Sequence, residues 1–213
     1  MSNFKYIIMA GGNYPEWNIP RQLTRIKGEP LIVRTIRQLR EFGVKDIAIS
    51  TNNHMFEMFD APILHHENKF IGNNPHGGYW VDGFYPINKP VCYLFGDVVF
   101  SDEAIRTIVN TETDGIEFFA SAPPFSDRYF KEWAEPFAFK VADTGRFHWA
   151  ITTVKTCQDL GWFLRIPIAW ELWQVIKGYP MNMIAYDSYI HINDYTCDID
   201  TPDDAKEIER RMP

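Results

Sequence analysis

The chain has 213 residues, of which 46% are hydrophobic and 15% aromatic, which excludes a disordered or collagen-like chain and suits one domain, 1–213, with a substantial core. Lys+Arg 21 against Asp+Glu 28 leaves a formal net charge of −7, which argues against a nucleic-acid binder, since that needs a basic face to replace counterions. Three cysteines without C-x-x-C spacing argue against a disulfide framework, and with no signal segment and no apolar run near the ~20 residues that span a bilayer, the expectation is a cytoplasmic protein without membrane partners.

The first expected element is a strand, Tyr6–Ala10, running straight into Gly11-Gly12. Two glycines at a strand end leave no side chains between backbone and ligand, so successive N–H groups can close on a phosphate. Arg21, in Pro20-Arg21-Gln22-Leu23, adds a fixed positive charge that can grip phosphate oxygens with two parallel bonds. A helix starting at Pro30 carries Ile32, Ile36 and Leu39 at helical spacing and stops at Gly43-Val44. Asp46–Thr51 reads as the next strand and Ala61–His65 as a weaker one. A loop rich in Asn, Gly and Pro, Asn68–Gly78, precedes a short helix within Gly78–Tyr85. The nearly all-apolar run Pro90–Phe95 is expected of a central strand covered on both faces. Ser101 caps a helix through Val109, with Asp102 and Glu103 in its first turn.

The second half is less regular. Ile116–Ala120 and Pro136–Val141 read as strands, and Asp143-Thr144-Gly145 as a hairpin turn joining the latter to a strand over Arg146–Ala150. Ile168–Lys177 reads as a helix ended by Gly178. Met183–Ala185 and Ile190–Ile192 are short strand candidates. Thr201-Pro202-Asp203-Asp204 starts a last helix with a capping hydroxyl, a proline and acidic residues in the first turn.

Strands alternating with helices predict an α/β fold with a mostly parallel sheet, whose ligands bind at the carboxyl ends of the strands. Gly11-Gly12 and Asp97 both fall at such ends. A dinucleotide fold is disfavoured, because no G-x-G-x-x-G follows the first strand and no acidic residue closes the second.

Three segments carry a resemblance. Pro20 to Ile32 reads P-R-Q-L-T-R-I-K-G-E-P-L-I, and behind strand-Ala10-Gly11-Gly12 it resembles the opening of the nucleotidyltransferases that couple a nucleoside triphosphate to a phosphorylated acceptor. Leu94–Phe100 resembles that family's mid-chain strand ending in Gly-Asp, and Asp198–Asp204 its closing Asp-Thr-Pro-x-Asp. Residues 123–192 match none of its motifs. The resemblance implies a glycosyltransferase-A-like, Rossmann-like domain, with a mixed and mostly parallel sheet flanked by helices. It also implies Mg²⁺-dependent nucleotidyl transfer to a phosphorylated small molecule, such as a sugar or alcohol phosphate, for polysaccharide or lipid assembly.

The catalytic residues so implied are Arg21, Asp97 and Asp200, with Asp97 and Asp200 as the magnesium ligands. Ala10, Gly11, Gly12, Asn13, Arg21, Asn73 and Gly96 would bind the nucleotide. Asp97 also has a reason of its own: a carboxylate just after a buried strand is costly unless it meets a cation or donors. Strand alternation would put Asp198 on the same face as Asp200, so it is a rival second ligand. Arg21 stands where the family has lysine, and the loop Asn13–Ile19 has Glu16 and no arginine.

Other signals are weaker. Asn52, Asn53 and Gly72-Asn73-Asn74 are candidates for base recognition, or plain turn chemistry. Arg128-Tyr129-Phe130-Lys131-Glu132-Trp133 can hold an acceptor phosphate or fill a core or the interface of a homo-oligomer; Lys155 and Arg165 are further phosphate partners without positional support. His65-His66-Glu67 with His76 matches no zinc template, and Arg34, Arg37 and Arg40 read as a solvated helix face. Two rival functions stand: a glycosyltransferase using a sugar nucleotide, which would show Asp-x-Asp where Asp97-Val98-Val99 stands, and a non-catalytic nucleotide-binding protein.

Overall fold

The computed structural model describes residues 4–11, 17–69 and 78–213. Seven strands form one sheet: β1 (Lys5–Met9), β4 (Ile47–Thr51), β5 (Ile63–His65), β6 (Val91–Phe95), β8 (Ile116–Ser121), β9 (Glu135–Val141) and β10 (Ile190–His191), in the order β10-β8-β9-β6-β1-β4-β5. Short pairs account for the other strands. They are the ribbon β2 (Arg25–Ile26) with β3 (Glu29–Pro30), and β7 (Val98–Val99) with β11 (Cys197–Asp198). The helices are α1 (Leu31–Glu41), α2 (Asp102–Asn110), α3 (Thr144–Asp159), α4 (Ala169–Lys177) and α5 (Pro202–Arg211).

β1 lies between β4 and β6 and runs parallel to both, with Ile8 opposite Ile49 on one side and Leu94 on the other. All five residues of β4 and of β6 are buried, and each large aliphatic side chain taken out of water contributes roughly 1.5–3 kcal/mol. β9 alone opposes the general direction, pairing antiparallel with both β6 and β8. The sheet is therefore mixed and mostly parallel, as expected.

Strand alternation decides which helices cover which face. On β9, Phe139 turns towards Phe147 of α3 and Trp173 of α4, whereas its neighbour Lys140 turns the other way and donates to the Ile108 and Val109 carbonyls at the end of α2, both at 2.9 Å. α3 and α4 thus cover one face and α2, with α1 packed beside it, the other. The α3–α4 face is aromatic: Phe118 stacks on Phe139 at 4.4 Å and meets Trp170 edge-on at 4.9 Å.

Most boundaries fall within one or two residues of the expectation. Ser101 caps α2 by accepting from the Ala104 N–H at 2.9 Å, and Gly178 closes α4 in the left-handed region, at φ 74°. Helix α1 starts one residue after Pro30, which closes β3. The short helix within Gly78–Tyr85 is a 3₁₀ turn, Trp80–Gly83.

Two expectations fail. Asp143-Thr144-Gly145 is no hairpin turn: Asp143 is the N-cap of α3, accepting from the Arg146 N–H at 2.9 Å, so Arg146–Ala150 is helical and not a strand. Met183–Ala185 lies in irregular backbone, where Met183 spends its carbonyl on the Gln174 side chain and pairs with no strand.

Candidate active site

The carboxyl ends of β1 and β6 open into a cavity of about 220 Å³, lined among others by Gly11, Arg21, Gly96, Asp97, Glu135, Asp198 and Asp200. Each side chain arrives there for a local reason. Gly96 follows β6 where it crosses the end of β1; its N–H donates to the Met9 carbonyl at 3.0 Å, and a Cβ on it would lie 2.3 Å from that same oxygen. Only glycine lets the two strand ends approach this closely, and the approach places Asp97 beside β1.

Arg21 opens a 3₁₀ turn, Arg21–Leu23, and is buried. Its guanidinium donates to the Ile199 carbonyl at 2.8 Å and to Asp200 Oδ1 at 3.0 Å, and lies 3.4 Å from Asp97 Oδ2. The C-terminal segment reaches the site because β11 pairs with β7, setting Asp198 opposite Val98, and because the Ile199 N–H donates to the Asp97 carbonyl at 2.9 Å. Asp200 is then fixed by the start of α5, where Asp204 accepts from its N–H at 2.9 Å and Thr201 supplies the cap. Trp17 also donates to the Asp200 carbonyl, at 3.3 Å.

Two further residues come from the stretch without motifs. Glu135 begins β9, and because that strand runs antiparallel its first residue lies at the same sheet edge as the last residues of β1 and β6. Lys131, four positions earlier, is buried and donates to Asp200 Oδ2 at 2.8 Å, to Glu135 Oε1 at 3.3 Å and to Asp198. Sequence reasoning grouped Lys131 only with a possible acceptor segment and passed over Glu135. Neither lies in a motif or on a helix, so no local signal marks them. The rest of that segment divides by environment: Tyr129 is core and Trp133 is exposed.

The electrostatics follow from packing four carboxylates around two cations. With all groups ionised, Asp97, Asp198, Asp200 and Glu135 against Arg21 and Lys131 leave an excess of two negative charges. Burial pushes Asp97 up, against the pull of Arg21. Burial and the Asp198 charge push Glu135 up to about 9, and burial raises Asp198 to about 6 although Lys131 opposes it. Burial alone would raise Asp200 too, but its bonds to Lys131 and Arg21 hold it below the usual carboxylate range.

A hard divalent cation fits this donor set. Glu135, Asp198 and Asp200 each offer a carboxylate oxygen, all within 4.8 Å of one another, and magnesium takes such ligands with water and phosphate completing its shell. Of the two expected ligands, Asp200 belongs to this group; Asp97 stands apart from it, against the Arg21 guanidinium.

Of the expected nucleotide-binding residues, Gly11, Arg21 and Gly96 line the cavity, and Ala10 sits just behind it, its carbonyl accepting from Thr51 Oγ1 at 3.0 Å. Gly12, Asn13 and Asn73 lie outside the described residues, as do Gly72, Asn74 and His76. Asn53 caps the turn His54–Phe56 by accepting from the Met55 N–H, and Asn52 is exposed. Arg37 and Arg40 pair with Glu29, Glu41 and Asp60, Arg165 with Glu171, and Lys155 with Asp82, and none of these residues lines the cavity. Among the described residues, His65, His66 and Glu67 join no metal-holding group. All three cysteines are free and buried, and no described helix is long and apolar enough to cross a membrane.

Solved structures share this fold. A protein described as a glucose-1-phosphate thymidylyltransferase from Bacillus anthracis, in complex with a sucrose, superposes with a TM-score of 0.60 at 14% identity, over 97% of this chain and 94% of that one. The inositol-1-phosphate CTP transferase from T. maritima superposes with a TM-score of 0.54 at 15% identity, over 97% of this chain and 95% of that one. No protein-family model matches the sequence, and no curated protein matches it significantly. The likeness shows that this chain shares the fold of these two proteins along nearly its whole length.

Proposed function

We propose that the protein is a Mg²⁺-dependent nucleotidyltransferase that couples a nucleoside triphosphate to a phosphorylated sugar or alcohol and releases pyrophosphate. The observation behind this reading is the convergence of Arg21, Asp97 and Asp200, from three distant segments, on one cavity at the carboxyl ends of β1 and β6. The two structural neighbours named above, whose names describe transfer to glucose 1-phosphate and inositol 1-phosphate, support the same class of acceptor.

The chemistry asks little covalent work of the protein. An acceptor phosphate oxygen is already an anionic nucleophile, so its in-line attack on the α-phosphorus needs no general base. The barrier is repulsion between anions and the charge that grows on the departing pyrophosphate. Magnesium, when bound, would neutralise phosphate oxygens and orient them; Asp200, Asp198 and Glu135 would hold it, with Asp97 beside Arg21 at the same cavity. The Gly11 backbone, which lines the cavity, would face the triphosphate, with Arg21 as the cation beside it. The low-dielectric wall formed by Val98, Phe95 and Ile168 strengthens each of these interactions.

One observation favours a second reading, nucleotide binding without turnover. Arg21 already donates to Asp200 and to the Ile199 carbonyl and pairs with Asp97, which is the behaviour of a strut. Pyrophosphate release decides between the two. Each of the four common NTPs is incubated with Mg²⁺ and a panel of sugar and alcohol phosphates, with wild type and Asp97→Ala compared. Release with one NTP–acceptor pair, lost in the variant, supports the transferase. A Mg²⁺-dependent rise in melting temperature with an NTP but no release under any condition supports the binding protein.

A further inference from the structure

Both carboxylate oxygens of Asp200 are already taken by side-chain cations. Oδ1 accepts from Arg21 at 3.0 Å and Oδ2 from Lys131 at 2.8 Å. Each oxygen keeps a second lone pair, but an ion held by Glu135, Asp198 and Asp200 together needs the space that the Lys131 ammonium occupies, since that ammonium bonds all three. Arg21 is held as well by the Ile199 carbonyl at 2.8 Å and by Asp97, outside that group of three. Lys131 comes from the irregular backbone between β8 and β9, on a flexible four-carbon stem. Its hydrogen bonds go to Asp198, Asp200 and Glu135, the three carboxylates whose oxygens lie within 4.8 Å of one another.

We propose that Lys131 is a resident counter-ion for the metal-binding carboxylates. In the metal-free protein its ammonium fills the divalent-ion position, and metal entry at Asp200 drives it out. The inference rests on the reading of this site as metal-dependent, and does not require nucleotidyl transfer itself. Four carboxylates around one small cavity, three of them with side chains no more than 20% exposed, would repel one another in a folded chain without enough cations. Lys131 removes that obstacle to folding before a metal arrives. In return it weakens metal affinity, because each bound ion must strip one ammonium from three carboxylates.

The test uses Mn²⁺ as the probe, without nucleotide, and follows the free ion by electron paramagnetic resonance. Lys131→Met is expected to bind Mn²⁺ at least ten times more tightly than wild type and to show the larger metal-induced rise in melting temperature. Lys131→Arg keeps the cation and is expected to stay within about threefold of wild type. Equal or weaker Mn²⁺ affinity in Lys131→Met, or no Mn²⁺ binding by either protein, overturns the proposal. A Lys131→Met protein that folds only when Mn²⁺ is added supports it. Should that variant not fold at all, wild type is treated with an amine-reactive reagent and read by peptide mass spectrometry. Labelling of Lys131 that rises several-fold at high Mn²⁺ supports displacement, and unchanged labelling overturns it. Neither readout contains nucleotide, so failed pyrophosphate release would count against the transferase and leave this inference standing.

Discussion

Arg21 and Asp200 are 179 positions apart in the sequence and 3.0 Å apart in the fold. Their bond, with the adjoining one to the Ile199 carbonyl, fastens the turn after the first loop to the segment that starts the last helix. Losing one partner of a fully buried pair costs about 3–5 kcal/mol. The Asp200 side chain is 45% exposed and can recover water, which brings the expected loss for Arg21→Ala to about 2–3 kcal/mol. Urea unfolding measures it. Arg21→Lys restores a charge without the planar fork and should recover less than half. A loss below about 1 kcal/mol would mean that Arg21 is no strut and is held for the nucleotide.

Asp97 should separate activity from stability. Burial raises its pKa against the pull of Arg21, so the ionised carboxylate is itself a cost to the native state. Asp97→Asn keeps the shape and drops the charge. The melting temperature should hold or rise, while pyrophosphate release falls about 100-fold or more if the carboxylate acts on charge in the transition state. Wild-type turnover in this variant would remove Asp97 from the reaction.

Glu135 and Asp198 set a pH dependence of definite sign. Their folded pKa values, about 9 and about 6, exceed the ordinary values of 4.5 and 3.8. Between these limits the native state keeps protons that the unfolded chain has released, so metal-free stability falls as pH rises from about 4 to about 9. Comparing wild type with Glu135→Gln isolates one group, because every other titrating residue is common to both. The melting temperature of the variant relative to wild type should be higher at pH 8 than at pH 5. An equal difference at both pH values would show Glu135 to be ionised throughout.

Much of this site was legible because its residues sit in local motifs. Gly96-Asp97 follows an all-apolar run, and Asp200 precedes a Thr-Pro helix start that reads from four residues. Lys131 and Glu135 were not legible, for a topological reason. The edge of the sheet that carries the site receives the ends of parallel strands but the beginning of an antiparallel one, and nothing in the apolar run of β9 reveals its direction. The misreading of α3 has a different cause. An aspartate that accepts from the N–H three residues on opens a tight turn and a helix alike, as Asp143 does with Arg146. The core-facing residues of α3, Phe147, Ala150, Val154 and Cys157, do recur at helical spacing, but the large apolar Trp149 between them lies exposed and blurs the stripe. The alternation of the first half was plain by contrast, since β4 and β6 are buried on both faces and α1 carries one apolar face.

Gly96 tests whether the strand crossing positions Asp97. A methyl group there would meet the Met9 carbonyl oxygen at 2.3 Å, a backbone atom held by the Gly96 N–H itself and unable to turn aside as a side chain would. Gly96→Ala must therefore push the end of β6 away from β1, and the cost expected from such overpacking is about 1–3 kcal/mol. The shift also moves Asp97 relative to Arg21, so pyrophosphate release should fall by more than the stability loss explains when assayed well below the melting temperature. Gly11→Ala is the control: among the described residues its Cβ would meet the Asn68 side chain alone, at 3.4 Å, ordinary contact. Destabilisation confined to Gly96→Ala would tie the glycine to the strand crossing. Equal stability of both variants would mean that the backbone yields there at little cost, and that the placement of Asp97 depends instead on its bond to Ile199.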